Sequence, residues 1–150
     1  MYKRQSQCSG LLADCTEEHE KGLQDYGRYI GTAFQLIDDL LDYSADGKTL
    51  GKNVGDDLNE GKPTLPLLHA MHHGTPEQAA MIRQAILDGN GRHLLEPVLA
   101  AMADCGSLEW TRQRAEEEAD KAIAALHSLP DTPWKEALIG LAHIAVQRDR

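Results

Sequence analysis

Phenylalanine occurs once in this 150-residue chain, tryptophan twice, and valine, isoleucine and threonine are few, whereas Ala, Leu, Glu and Gln are common. That scarcity weighs against a sheet protein and favours helix. No apolar run approaches the ~20 residues needed to span a bilayer. Basic residues are also short: 15 Lys and Arg stand against 24 Asp and Glu, a net charge of -9. Such a chain lacks the basic surface that nucleic acid requires. Anionic substrates are not excluded, because bound metal ions invert the local sign. Cys8, Cys15 and Cys105 show no metal-ligand spacing. An odd number of cysteines without a secretion signal reads as reduced thiols in a cytoplasmic protein. No nucleophile–base triad, P-loop or dinucleotide-binding glycine fingerprint is found.

What is present is the mixture of a globular domain, 41% hydrophobic and 26% charged, long enough to bury a core. Met1 to Gln5 match nothing that follows. Residues 6–15 read as the end of a small-residue helix. Thr16 can cap a new helix, with Glu17 and Glu18 in its first turn. From Glu17 to about Tyr43 apolar positions recur at helical spacing through Leu23, Tyr26, Ile30, Ala33, Ile37 and Leu40, a span of about 40 Å. Gly22, Gly27 and Gly31 weaken it but permit close helix packing. Residues 44–62 read as an ordered loop. Helices are then expected over Thr64–His73, from Thr75-Pro76 to Gly89, over Arg92–Cys105, from a Ser107 cap to about Leu129, and from Thr132-Pro133 to about Arg148. Cap followed by proline is the start signal in two of these, and glycine or Pro130 the stop in others. The expected fold is an all-α helical bundle.

The chemistry concentrates in residues 34–68. Asp38, Asp39 and Asp42 are set among Leu36, Ile37, Leu40 and Leu41. Asp38 and Asp42, four apart, share a helix face, and Asp39 lies about 100° round from Asp38. Like charges at this spacing destabilise a helix, and near its C-terminus the macrodipole adds to the penalty. A hard divalent cation with oxygen ligands would offset both. Lys48, Lys52 and Lys62 follow, interleaved with Gly47, Gly51, Gly55 and Gly61, glycines that let backbone approach a ligand. Acids followed by spaced lysines suit a metal-bridged diphosphate. Gln35 lies three residues before Asp38, where it can bond a substrate or a metal-bound water. The plainer alternatives are a solvated helix face for the acids and solvated loop lysines. His69, His72 and His73 read as surface histidines, Glu116, Glu117, Glu118 and Asp120 as a wet helix face, and Cys105 as core.

Residues Phe34 to Tyr43 resemble the second aspartate-rich motif of the trans-polyprenyl diphosphate synthases. Leu50-Gly51-Lys52, Gly55-Asp56-Asp57-Leu58 and Gly61-Lys62-Pro63-Thr64-Leu65-Pro66 resemble the loop that follows it in that family. These blocks, in order and at the right spacing, are far more specific than an isolated Asp-Asp-x-x-Asp. The resemblance implies the C-terminal half of the isoprenoid synthase fold over residues 8–150, with residues 1–7 a non-native or truncated leader. It implies a Mg²⁺-dependent prenyltransferase in which Asp38, Asp39 and Asp42 take the metal side. Asp38, Lys52 and Lys62 carry catalysis, and Gln35, Lys52 and Lys62 bind substrate. The implied partners are an allylic diphosphate, isopentenyl diphosphate and, for the full-length parent, a second copy in a homodimer. The product class is an all-trans polyprenyl chain of the kind quinones carry. The family's first aspartate-rich motif and its Lys-Thr pair are missing, so this chain alone is expected to be inactive. A non-catalytic partner subunit and a helical structural module stand as alternatives.

Overall fold

A computed structural model describes residues 2–44 and 54–147. Among them are eight α-helices and no strand: α1 Tyr2–Leu12, α2 Glu17–Leu41, α3 Asp56–Asn59, α4 Leu65–His73, α5 Pro76–Asp88, α6 Leu95–Asp104, α7 Ser107–Ala125 and α8 Pro133–Val146. A 3₁₀ turn, Gly91–Leu94, leads into α6. None of these helices is long and apolar enough to cross a membrane. The chain divides into two units, Met1–Ile37 with Gln113–Arg150, and Asp38–Arg112.

In the first unit, Tyr26 of α2 packs with Ala122 and Leu126 of α7 and the turn after it, and with Ala142 of α8. The Tyr26 hydroxyl donates to the carbonyl of Leu138 at 2.8 Å, so its one polar atom is satisfied. Burial pushes this phenol up to about 12. The buried positions Ala115, Ala119, Ala122 and Leu126 realise the apolar face that their spacing predicts on α7. Close approach is real at Gly22, where a Cβ would lie 2.7 Å from the Ala125 carbonyl oxygen. The helix α7 stops at Ala125, four residues before the expected end. Leu126, His127 and Leu129 instead bond the carbonyls three residues back, the tighter winding common where a helix frays ahead of a proline.

The second unit closes around Tyr43, Leu58, Leu67, Ile82, Val98 and Met102. The α5 start carries a full capping box, with Thr75 Oγ1 accepting from the Gln78 amide and Gln78 Oε1 from the Thr75 amide. Pro66 sits in the first turn of α4, where its missing N–H is not needed. Two sequence expectations are corrected here. The stretch read as loop holds a helix, α3, whose Leu58 is fully buried. Ser107 is the first residue of α7 rather than the residue before it, and its buried hydroxyl donates to the Pro66 carbonyl.

Gly61 and Gly89 both have left-handed backbones, φ 67° and 59°. A Cβ on Gly61 would sit 2.5 Å from the Ile86 carbonyl oxygen, whereas one on Gly89 meets nothing within 4 Å. Gly89→Ala is therefore expected to cost only the left-handed penalty, about 1 kcal/mol. Gly61→Ala adds a backbone clash and should lose roughly 2 kcal/mol or more. Urea midpoints of the two variants check the order; equal losses would contradict it.

Candidate functional site

The amphipathic pattern of α2 carries it to Leu41, and Asp38 and Asp39 lie half-buried in its last turn. Asp42 and Tyr43 fall just beyond, in a turn where the Asp42 amide donates to the Asp38 carbonyl at 3.2 Å. Asp42 is buried, at 6% exposure. Its carboxylate Oδ2 accepts the Asp57 amide at 3.0 Å, and its carbonyl accepts the Gly55 amide at 2.8 Å. The one side chain therefore serves the first turn of α3, whose own preceding residue, Gly55, has no side chain to cap it. Gly55 takes φ 82° there, a backbone that a side chain would strain.

Asp57 continues the connection. Its carboxylate Oδ1 receives Lys62 Nζ at 3.0 Å, and its carbonyl receives the Lys62 amide at 2.9 Å. Lys62 Nζ also meets Glu60 at 2.7 Å. The Glu60 and Asp57 carboxylates hold the Lys62 ammonium above its ordinary range. Arg92, from the 3₁₀ turn, pairs with Asp56. Leu58, buried between these polar neighbours, anchors the turn in the apolar core.

Negative charge accumulates at this end of the unit. Burial pushes the Asp42 carboxyl up to about 6, opposed by the Asp57 amide and helped by the charges of Asp57 and Asp56. Tyr43 is held well above its ordinary value, first by burial and then by the fields of Asp42, Asp57 and Asp39. Such a field suits a divalent cation. Among the described residues, no three His, Cys, Asp or Glu side chains converge closely enough to hold a metal by themselves. For Mg²⁺ this is no obstacle, since it keeps several waters and uses one or two carboxylates plus substrate phosphates. The donor set fits in that limited sense: Asp38 and Asp39 are half-buried carboxylates, and Asp42 is a buried one whose Oδ2 also accepts the Asp57 amide.

The sequence-predicted residues thus divide. Asp42 and Lys62 are joined through Asp57; Asp38 and Asp39 end the helix that leads to them. Gln35 is exposed on α2. Lys48 and Lys52 lie outside the described residues. Asp57 is the residue that pattern reading passed over as part of a motif. The available signal was a glycine–acid–acid step with a lysine five residues on. The histidine expectation is corrected in one case: His72 and His73 are exposed, but His69 is half-buried. Its ring stacks on Trp110 at 4.4 Å, and its Nδ1 lies 3.8 Å from the half-buried Cys105 thiol. Burial and the neighbouring histidines lower the His69 pKa.

A carboxyl whose folded value is raised above 3.8 to about 6 binds more protons folded than unfolded. Stability from Asp42 is then present below pH about 4 and lost as pH rises to about 6. In chelator-containing buffer, thermal melts should show this fall, and Asp42→Asn should flatten it and raise neutral-pH stability by roughly 1 kcal/mol. An unchanged pH profile in the variant would contradict the assignment.

The sequence pattern of the polyprenyl synthetase family matches residues 2–102. The chain is 84% identical over 150 residues to octaprenyl diphosphate synthase of Escherichia coli (strain K12), covering 100% of this chain and 46% of the relative. It is 55% identical over 149 residues to octaprenyl diphosphate synthase of Haemophilus influenzae, covering 99% of this chain and 45% of that protein. Among solved structures, a Caulobacter crescentus polyprenyl synthase complexed with calcium and isoprenyl diphosphate superposes with TM-score 0.88 at 39% identity, over 99% of this chain and 46% of that one. A Rhodobacter capsulatus decaprenyl diphosphate synthase superposes with TM-score 0.89 at 36% identity, over 99% and 46%. The chain spans about half the length of these relatives, and its helical fold is theirs over that span. On this match it belongs to the polyprenyl synthetase family.

Proposed function

We propose that this chain carries the second metal-binding half of a polyprenyl diphosphate synthase, residues 8–150 forming the C-terminal part of a longer catalytic domain. The observation that carries the reading is the hydrogen-bonded run from Asp42 through Asp57 to Lys62. It joins an acid cluster to a lysine on one short piece of backbone, as a metal-bridged diphosphate requires. The 84% identity to an octaprenyl synthase favours octaprenyl as the product of the whole enzyme, made for a quinone side chain in the cytoplasm.

In this reading Asp38, Asp39 and Asp42 hold Mg²⁺ directly or through water, and Asp42 also braces the turn that carries Asp57. When bound, Mg²⁺ neutralises the diphosphate so that it can leave the allylic carbon. Lys62, with Lys52, takes up the remaining phosphate charge. Gln35 orients the diphosphate or a water beside it. The allylic carbon–oxygen bond breaks, the double bond of isopentenyl diphosphate forms the new carbon–carbon bond, and a proton is lost. Lys62 must exchange its contacts with Asp57 and Glu60 for phosphate oxygens. The exposed pairs involved are weak enough in water for that exchange. The whole enzyme acts as a homodimer. The chain by itself holds one metal wall and is expected to bind diphosphate without transferring a prenyl group.

Calorimetric titration of the chain with an allylic diphosphate, with and without Mg²⁺, tests this. Binding should require Mg²⁺. Asp38→Ala should weaken it by tenfold or more, about 1.4 kcal/mol, and Lys62→Ala by a smaller factor. Metal-independent binding, or binding indifferent to Asp38, would refute the residue assignment and favour a helical structural module instead.

A further inference from the structure

The histidines at the end of α4 take no part in the diphosphate chemistry. They lie in the second unit, as do Cys105 and Trp110. His69 and His73 are four residues apart on α4 and share a face. Their ring centroids are 4.3 Å apart. His69 also stacks on Trp110 of α7 at 4.4 Å, which holds its ring in place. Spacing along the chain pairs the two histidines but gives them no sulfur. The fold supplies one from 36 residues downstream: Cys105 Sγ lies 3.8 Å from His69 Nδ1. Cys105 sits in the turn between α6 and α7 and packs against the apolar core. Its thiol makes only a long contact to the Met102 carbonyl, at 3.6 Å.

We propose that Cys105, His69 and His73 form a site for a zinc-class transition metal, sharing no residue with the aspartate cluster. A separation of 3.8 Å is long for a hydrogen bond but suits two donors on one ion. Metal–sulfur and metal–nitrogen bonds of about 2.3 Å and about 2.0 Å at a tetrahedral angle put the two donors about 3.5 Å apart. As the side chains stand, no three donors meet. Cys105 and His69 are already at chelating distance, and the exposed His73 reaches the same ion by turning about its side-chain bonds. Water completes the tetrahedron. A thiolate with two imidazoles selects zinc or copper over magnesium and calcium, which take oxygen ligands. Burial and the neighbouring histidines lower the His69 pKa, so its ring is neutral near pH 7, the form that ligates. Binding releases the Cys105 thiol proton to solvent. The occupied site ties the end of α4 to the turn between α6 and α7. It stands whether or not the chain binds diphosphate.

Cobalt(II) is the probe for the test. A cobalt–thiolate bond absorbs in the near ultraviolet, and cobalt held by carboxylates alone does not. The chain carries Cys8→Ser and Cys15→Ser, which leaves Cys105 as its one thiol. Cobalt should raise the band with saturation at one equivalent. Zinc should abolish it, and a large excess of Mg²⁺ should leave it unchanged. Cys105→Ser should remove the band. His69→Gln and His73→Gln should each weaken cobalt binding at least about tenfold, whereas His72→Gln, at a neighbouring exposed position, should not. Zinc should also raise the melting temperature of the parent and not that of Cys105→Ser. Circular dichroism checks that each variant is folded, and if His69→Gln unfolds the exposed His73→Gln decides. Absence of the band, unchanged affinity in His73→Gln or in a folded His69→Gln, or displacement by Mg²⁺ would overturn the proposal.

Discussion

The architecture of the candidate site depends on one buried carboxylate. Asp42 accepts the Asp57 amide through its side chain and the Gly55 amide through its backbone. Those bonds tie the end of α2 to the start of α3, fifteen residues later in the chain. A helix of one turn has almost no stability of its own. It persists here because its amides find acceptors on Asp42 and because Leu58 is driven into the core beside Tyr43, Leu67 and Val98. Hydrogen bonding and apolar burial act on the same four residues, and Asp57 and Lys62 are placed as a consequence.

The arrangement is electrostatically uncomfortable, and that discomfort is informative. Asp39, Asp42, Asp56 and Asp57 all raise the proton affinity of a neighbour. Natural sequences tolerate such a concentration where function uses it. Lys62 and Arg92 relieve part of it from the solvent side. Acids tethered to a helix end, with a lysine held close by, are the feature on which the proposed metal and diphosphate binding rests.

Much of this was legible before any coordinates. The cap-and-proline starts at Thr75 and Thr132 and the glycine stop at Gly89 are local signals, settled by backbone geometry within a few residues. The family resemblance of residues 34–66 rests on spacing, which one chain displays fully. By contrast, α3 was hidden. Its four residues are too few for periodicity, and its stability comes from groups distant in sequence. His69 was misjudged for the same reason, because its stacking partner, Trp110, is forty-one residues away.

Composition and pattern alone therefore determined that the chain is helical, where most helices begin and end, and which carboxylates and lysines are the candidates for its chemistry. These follow from propensity, capping and periodicity, all short-range quantities. Only the tertiary structure decided that Asp42 ties α3 to the end of α2, that Asp57 is the link to Lys62, and that α8 leaves Leu141 and Ile144 exposed. Each of those outcomes depends on which residues far apart in the chain come into contact and which surfaces find no partner, and neither is a property of any local stretch of sequence.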